Sequence, residues 1–288
     1  MPVSILISAD MEGATGVATP DDVMPGTGAW AGARDCWTED VNAVVAALLD
    51  HGADEVVVTD AHGNGSNLET GRIDPRATVI RGRSRRFGML EGIDGGVHGA
   101  VFLGYHGTAG SGGVLSHAFM TAGIHTLRVN GEPAGEGTIN AHLAAFFAVP
   151  VLMVSGDEAA CDEAARYAPG AELVITKRAL TRFTARLRPA TAVRQDLSVA
   201  AERALQGLLQ GLEPGHVAPV APLRPAGELC AEIEFSRENC AQAVSAIPDV
   251  HITGSRSVRY SSRDTAAWYR CLGAIWTLAR SALGESYG

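Results

Sequence analysis

No two cysteines in this 288-residue chain stand in CxxC spacing, and the five present, Cys36, Cys161, Cys230, Cys240 and Cys271, leave one over. That usage suits reduced thiols and excludes a disulfide framework. No uninterrupted apolar run reaches the roughly 18 residues needed to cross a bilayer, so no membrane partner is expected. The opening residues carry no basic stretch and meet Asp10 and Glu12 too early for an export signal, which leads to the expectation of a cytoplasmic protein. Positive charge is scarce: 23 Lys and Arg against 32 Asp and Glu leave a net charge of −9, which argues against nucleic acid as a partner. The one basic cluster, RGRSRR ending at Arg86, reads as a solvated loop. Also missing are a GxSxG elbow, a GxxxxGK(S/T) loop and an HExxH helix, which removes the serine-hydrolase, P-loop and zincin patterns.

What is there is a globular composition, 46% hydrophobic and 19% charged, with α/β patterning. The run VSILISA is a buried strand followed by a glycine- and proline-containing loop through residue 32. Thr38 is placed to cap a helix that buries Val41, Val44, Val45, Leu48 and Leu49 before Gly52, and EVVVTDAHG supplies the next strand. Such a β-α-β unit implies parallel strands. GAVFLGYHG is a further strand, HTLRVNGEPAG a strand turning at Asn130-Gly131, Glu136 to Phe147 a helix, VPVLMVSGD a strand, and Glu158 to Tyr167 a helix. A second amphipathic helix covers Leu197 to Leu212, the proline-rich stretch EPGHVAPVAPLRPAG reads as a linker, and LCAEIEF, SVRYSS and a final helix close the chain. The expected fold is α/β, a mostly parallel sheet sandwiched by helices, with a smaller C-terminal α+β domain. Residues 1–185 form the metal-binding catalytic domain of this reading. Residues 186–288 form the second domain, contributing to assembly and to the substrate pocket.

In open α/β sheets, ligands gather beyond the carboxyl ends of the strands. Three apolar runs end in metal-type side chains: Asp10 and Glu12 after SILIS, Asp60 and His62 after VVVT, and His106 after VFLGY. Each also reads as a turn residue, yet their coincidence at three strand ends favours a metal centre of mixed imidazole and carboxylate, which suits zinc, manganese or iron. Glu136 opens a helix, where ligation and compensation of the helix dipole are equal readings. His117 sits in a glycine-rich stretch that can line a cleft or stay in the core. GTAGSGG from Gly107 reads as flexible lining, and Asp157-Glu158 as the start of a helix.

SADMEG, DAHGNGSN, LGYHG, SHAFM and PAGEGTINAH together resemble, in order, the motifs of the M55 metallopeptidase family of D-aminopeptidases, with looser likeness along the rest of the chain. The resemblance implies an α/β fold, a ring-like homo-oligomeric decamer with sites facing an internal chamber, and two zinc ions per subunit. Its ligand positions fall on Asp10, Glu12, His62, His106 and Glu136, with Asp10 shared between ions, and its catalytic histidine on His117. The carboxylate-rich set also admits manganese or cobalt. The implied activity is hydrolysis of short peptides with N-terminal D-residues such as D-Ala, His117 moving a proton or stabilising the oxyanion. Competing readings are a dinuclear metallophosphoesterase and a noncatalytic α/β binding protein.

Overall fold

A computed structural model describes residues 2–213, 220–223 and 227–284. Much of the proline-rich stretch read as a linker lies outside them. The chain begins with β1 (Ser4–Ala9), a one-turn α1 (Pro20–Val23), α2 (Gly28–Asp50), β2 (Glu55–Asp60), β3 (Thr78–Ile80) and β4 (Gly99–Tyr105). It continues through β5 (Ile124–Val129), β6 (Glu132–Pro133), α3 (Glu136–Phe146), β7 (Val151–Asp157), α4 (Glu158–Tyr167), β8 (Glu172–Thr181) and β9 (Thr184–Leu187). It ends with α5 (Ala190–Leu212), β10 (Leu229–Phe235), α6 (Glu238–Val244), β11 (His251–Ile252), β12 (Ser257–Ser262) and α7 (Thr265–Leu283).

Seven strands form the first sheet in the order β3-β2-β1-β4-β7-β8-β9. All its pairings are parallel except the antiparallel edge pair β8–β9. The apolar runs are buried on both faces, as a sheet covered by helices requires. Along β1, Ile5 and Ile7 enter one core with α2 and α5, while Leu6 enters the other with α3, α4 and α7. From β1 the chain winds outward through β2 and β3, and from β4 it winds the opposite way through β7 and β8. The switch point therefore lies between β1 and β4, where a crevice opens at the carboxyl ends of the strands.

The second sheet is antiparallel, in the order β11-β12-β10-β5-β6. Its hairpin turns at Asn130-Gly131 as expected, both residues having positive φ, 52° and 85°. The division expected at residue 185 does not follow the sheets. β5 and β6 leave the first half of the chain to pair beside β10, and α5 packs back on α2, β7 and β8. α2 also starts ten residues before the expected cap: Thr27 accepts a hydrogen bond from the Trp30 amide at 3.0 Å, and Thr38 is buried inside the helix. Helix propensity without a Gly-Pro break after residue 28 outweighs the loop-like look of GTGAWAG.

A buried polar chain ties α7 to the parallel sheet. Tyr269 OH donates to Asn140 Oδ1 at 2.9 Å, Asn140 Nδ2 to Tyr105 OH at 2.9 Å, Tyr105 OH to Ser8 Oγ at 2.7 Å, and Ser8 Oγ to the Met89 carbonyl at 2.8 Å. Each hydroxyl hydrogen is used once, so the chain has a single direction from α7 through α3 and β4 to β1. Asn140→Ala breaks it in the middle and leaves two buried hydroxyls short of a partner. Chemical denaturation should register a loss of about 2 to 4 kcal/mol; a change within about 0.5 kcal/mol would contradict the coupling.

Candidate metal centre

The SADMEG segment leaves β1 and is pressed against the end of β4. The Asp10 amide donates to the Leu103 carbonyl at 2.8 Å and the Gly13 amide to the Gly104 carbonyl at 2.7 Å. A β-carbon on Gly13 would lie 2.0 Å from the Tyr105 carbonyl oxygen, and one on Gly104, whose φ is +73°, 2.2 Å from that of Asp10. Only glycine fits either place. From beneath, fully buried Lys177 donates to the carbonyls of Glu12, Ala14 and Val17 at 2.5, 2.8 and 2.7 Å. Burial lowers its ammonium pKa to about 8.

His62 stands on the loop after β2. Asp60, also a strand-end acid, points away from the cleft and closes this loop by accepting from the amides of Asn67 at 2.5 Å and Leu68 at 2.8 Å. Asn67 in turn donates to the His62 carbonyl at 2.7 Å. His106 follows β4, and Glu136 is the first residue of α3. These two are held together by buried Glu163 of α4, which accepts from the Thr108 amide at 2.9 Å, the Gly135 amide at 3.1 Å and the Thr138 hydroxyl at 3.1 Å. GTAGSGG, expected as flexible lining, is held near its start by Glu163 at Thr108 and just past its end by Asp157, which takes the Val114 amide at 2.5 Å and caps α4 by accepting from the Ala160 amide.

These elements bring all six candidate residues into one buried cluster, none more than 8% exposed. His62 Nδ1 lies 3.0 Å from Glu12 Oε2 and 3.4 Å from Asp10 Oδ1. His106 Nε2 lies 3.6 Å from Asp10 Oδ2 and 3.5 Å from Glu136 Oε1. His117 Nε2 is 3.7 Å from the same Glu136 oxygen, and its ring stacks on that of His106 with centroids 4.1 Å apart. Glu136 Oε1 also accepts from the Phe119 amide at 2.6 Å. Phe119 and Leu115, on either side of His117, adopt left-handed backbone at φ 50° and 53°, local strain of the kind held at functional sites.

Each imidazole is oriented from behind by a backbone carbonyl: Val23 for His62 Nε2 at 2.9 Å, Gly107 for His106 Nδ1 at 3.0 Å, and Leu115 for His117 Nδ1 at 2.8 Å. A carbonyl only accepts, so the nitrogen facing it carries the proton and the other presents a lone pair to the carboxylates. Acceptors then face acceptors, and Asp10 Oδ2 and His106 Nε2 have no hydrogen-bond partner despite burial. Only protons or cations reconcile such a set, and this orientation by carbonyls is how metal-binding histidines are usually held. Two overlapping groups have the spacing for an ion, Asp10-Glu12-His106 and His106-His117-Glu136.

The ionisation balance says the same. Burial, reinforced by Glu12, pushes the Asp10 carboxyl up to about 7. Burial opposes charging His62 and His106, yet Glu12 beside the first and Glu136 beside the second outweigh it and raise both well above an ordinary imidazole. Burial and the neighbouring His106 lower His117. The cluster therefore calls for positive charge, whether as protons on His62 and His106 or as bound cations. His117 has the contacts of a ligand as well as of a proton carrier.

A parallel α/β sheet with imidazoles and carboxylates converging at its switch point defines a class of metal-using hydrolases, and the chain belongs to one family of them: the M55 peptidase family, whose model, described as D-aminopeptidase, matches residues 3–274. It is a hydrolase of that family. A D-aminopeptidase of Bacillus subtilis (strain 168) is 33% identical over 281 residues, spanning 96% of this chain and 98% of its own. The solved structure of the Zn-dependent D-aminopeptidase DppA from Bacillus subtilis, a self-compartmentalizing protease, superposes with a TM-score of 0.90 at 30% identity, covering 99% of this chain and 100% of that one. The phosphoesterase and noncatalytic readings are not favoured.

Sequence reasoning missed Glu163 and Lys177, which touch the centre only through the backbone. Glu163→Ala leaves the buried Thr108 and Gly135 amides unpaired and frees His106 and Glu136 to shift. Divalent-metal affinity, read by chelator competition, should fall about 10- to 100-fold, with Glu163→Gln intermediate because it keeps one acceptor oxygen. Unchanged affinity in the alanine variant would remove Glu163 from this role.

Proposed function

We propose that this protein is a zinc-dependent aminopeptidase that releases N-terminal D-residues such as D-Ala from short peptides. The observation that carries this reading is the division of Asp10: one carboxylate oxygen faces His62 and the other His106. A carboxylate so placed could serve two cations at once. Asp10, Glu12 and His62 would hold one ion and Asp10, His106 and Glu136 the other; the D-aminopeptidase and Zn-dependent relatives support the metal and the substrate class. When bound, the pair supplies Lewis-acid polarisation of a carbonyl and acidification of water.

The chain's own groups do the rest. Glu12 and Glu136, with Asp10, set three negative charges against the cations they would hold. His117, fixed by the Leu115 carbonyl, turns Nε2 toward the cleft, where it can hand a proton to the departing amine nitrogen as the peptide bond breaks. Its lowered pKa keeps Nε2 unprotonated, so the lone pair is free to take that proton from water first. Met89, Phe119, Ile139 and Trp276 line the same cleft and exclude bulk water around the scissile bond.

Homo-oligomeric assembly is part of the proposal, with a ring-like decamer as the form the family resemblance implies and the self-compartmentalizing relative as support. The hairpin of β8 and β9 ends the first sheet and exposes Leu180, Phe183 and Leu187, apolar side chains on an edge that monomeric proteins usually blunt. We place the protein in the cytoplasm, in keeping with its free cysteines. No helix among the described residues is long and apolar enough to cross a membrane.

Zinc-loaded protein should release D-alanine from D-Ala-D-Ala and from D-alanine amide, and lose that activity to a chelator; cleavage of L-peptides alone would refute the D-preference. Asp10→Ala should lower bound zinc, by elemental analysis, from about two per subunit toward none. Full zinc content in that variant would refute the shared carboxylate. By sedimentation velocity the mass should be a multiple of the 30.0 kDa chain, and Phe183→Asp with Leu187→Asp should lower it. A wild-type monomer would exclude assembly.

A further inference from the structure

The cleft in front of the centre, about 1340 Å³, has an uneven distribution of charge. Its carboxylates are Asp10, Glu12 and Glu136, all within the buried cluster. Its other charged side chains are five arginines, Arg83, Arg85, Arg86, Arg270 and Arg280, in a protein of net charge −9. Among the described residues, only Arg86 has an ion pair to a carboxylate, that of Asp94. Arg85 donates to the Asp60 carbonyl and Arg280 to the Phe119 carbonyl at 3.0 Å, neither of them a carboxylate. Arg83 and Arg270 are exposed and have no hydrogen-bond or ion-pair partner among the described residues.

These arginines are held in place by their backbones. Gly82 donates to the Gly65 carbonyl at 2.6 Å, and Arg85 reaches the backbone of Asp60, so the 81–86 loop is fastened to the loop that carries His62. Between Arg83 and Arg85, Ser84 takes left-handed backbone at φ 61°, which reverses the chain and sends the two side chains apart. From α7, Arg270, Gly273, Thr277 and Arg280 recur at helical spacing along the same cleft. Nothing lies within 4 Å of a β-carbon on Gly273, so room remains beside Arg270. Gly88 abuts the Tyr269 hydroxyl, which seats the start of α7 against the 81–88 loop.

We propose that Arg83 and Arg270 form an anion-accepting wall that binds the C-terminal carboxylate of a short peptide whose N-terminal residue lies at the metal centre. The proposal rests on the aminopeptidase reading and narrows its substrates to peptides short enough to be zwitterions across one cleft. Guanidinium suits the task because its planar fork pairs with a carboxylate through two hydrogen bonds and stays charged at every working pH. A carboxylate held at the arginines leaves the amine end of a short peptide to reach the metal centre, and the reversed orientation would set an ammonium against the arginines.

The test compares D-Ala-D-Ala, D-Ala-D-Ala amide and D-Ala-D-Glu amide as substrates of the zinc-loaded enzyme. Alongside it, calorimetric binding is measured for the reduced-amide analogues of the first two, which cannot be hydrolysed. Wild type should favour the free acid over the amide by about tenfold in kcat/KM and in affinity. In Arg83→Gln with Arg270→Gln that ratio should fall toward one, and Arg83→Lys with Arg270→Lys should recover part of it. An equal ratio in wild type and the glutamine variant overturns the proposal. So does a preference for D-Ala-D-Glu amide without one for D-Ala-D-Ala, which would assign the wall to a side-chain acid. If neither dipeptide is cleaved, the aminopeptidase reading fails, and the binding ratio of the analogues still decides the role of the arginines.

Discussion

Three carboxylates buried side by side are the constraint around which this molecule is organised. Asp10, Glu12 and Glu136 repel one another in a region that water barely enters, and a buried anion left unpaired costs several kcal/mol. Three imbalanced acids are tolerable only if imidazoles and cations sit among them, so the fold has to deliver His62, His106 and His117 from separate loops with small errors. The deeper layer is uncharged where it touches the centre. Carbonyls of Val23, Gly107 and Leu115 orient the rings, while Lys177 gathers the carbonyls beneath SADMEG. Lys177 and Glu163 support the cluster from behind, Lys177 beneath Glu12 and Glu163 beside His106, so that one charge of each sign backs the centre.

The parallel sheet makes that delivery feasible. β1 and β4 are neighbours that send their chains outward in opposite directions, so the ends of both strands face an opening that no crossover covers. Asp10 and His106 occupy those two ends. Glycine at 13 and 104 lets the two segments touch backbone to backbone, and any larger residue would separate the carboxylate from the imidazole it faces. The same sheet is then fastened to α7 by the directed chain from Tyr269 to Ser8, one residue pair away from Asp10. Rigidity at the centre and the position of the cleft wall thus depend on one set of hydrogen bonds.

Features that recur within a few residues were legible in the sequence; features set by distant partners were not. An apolar β-branched run followed by acids marked β1 and its site, and the Asn130-Gly131 turn marked its hairpin, because each is local chemistry. Glu136 and His117 were ambiguous from spacing and gained a role only through the family resemblance. β5 and β6 showed as strands, yet nothing in an alternating pattern says which sheet a strand will join. Glu163 looked like one more acid on an amphipathic helix, since its partners, the amides of Thr108 and Gly135, leave no trace in residue type. RGRSRR looked like a solvated loop for the same reason. Its significance comes from Gly65, Asp60 and Tyr269, which hold it against a cleft whose other lining comes almost two hundred residues later.

That separation along the chain divides the labour of the site. The centre is built from the ends of β1, β2 and β4 and the start of α3, all fixed by the sheet and by buried backbone contacts. The wall is built from one surface loop and one helix face, whose outermost residues, Arg83 and Arg270, make no hydrogen bond or ion pair with another described residue. A change in the first group alters the charge balance of six coupled residues at once and is felt as loss of the cluster. A change in the second leaves those six where they are and alters only what lies opposite them. Reactivity and substrate choice are therefore physically separable here: the acids and imidazoles determine that an amide is broken next to an ammonium, and the arginines determine how far from that ammonium a carboxylate is welcome.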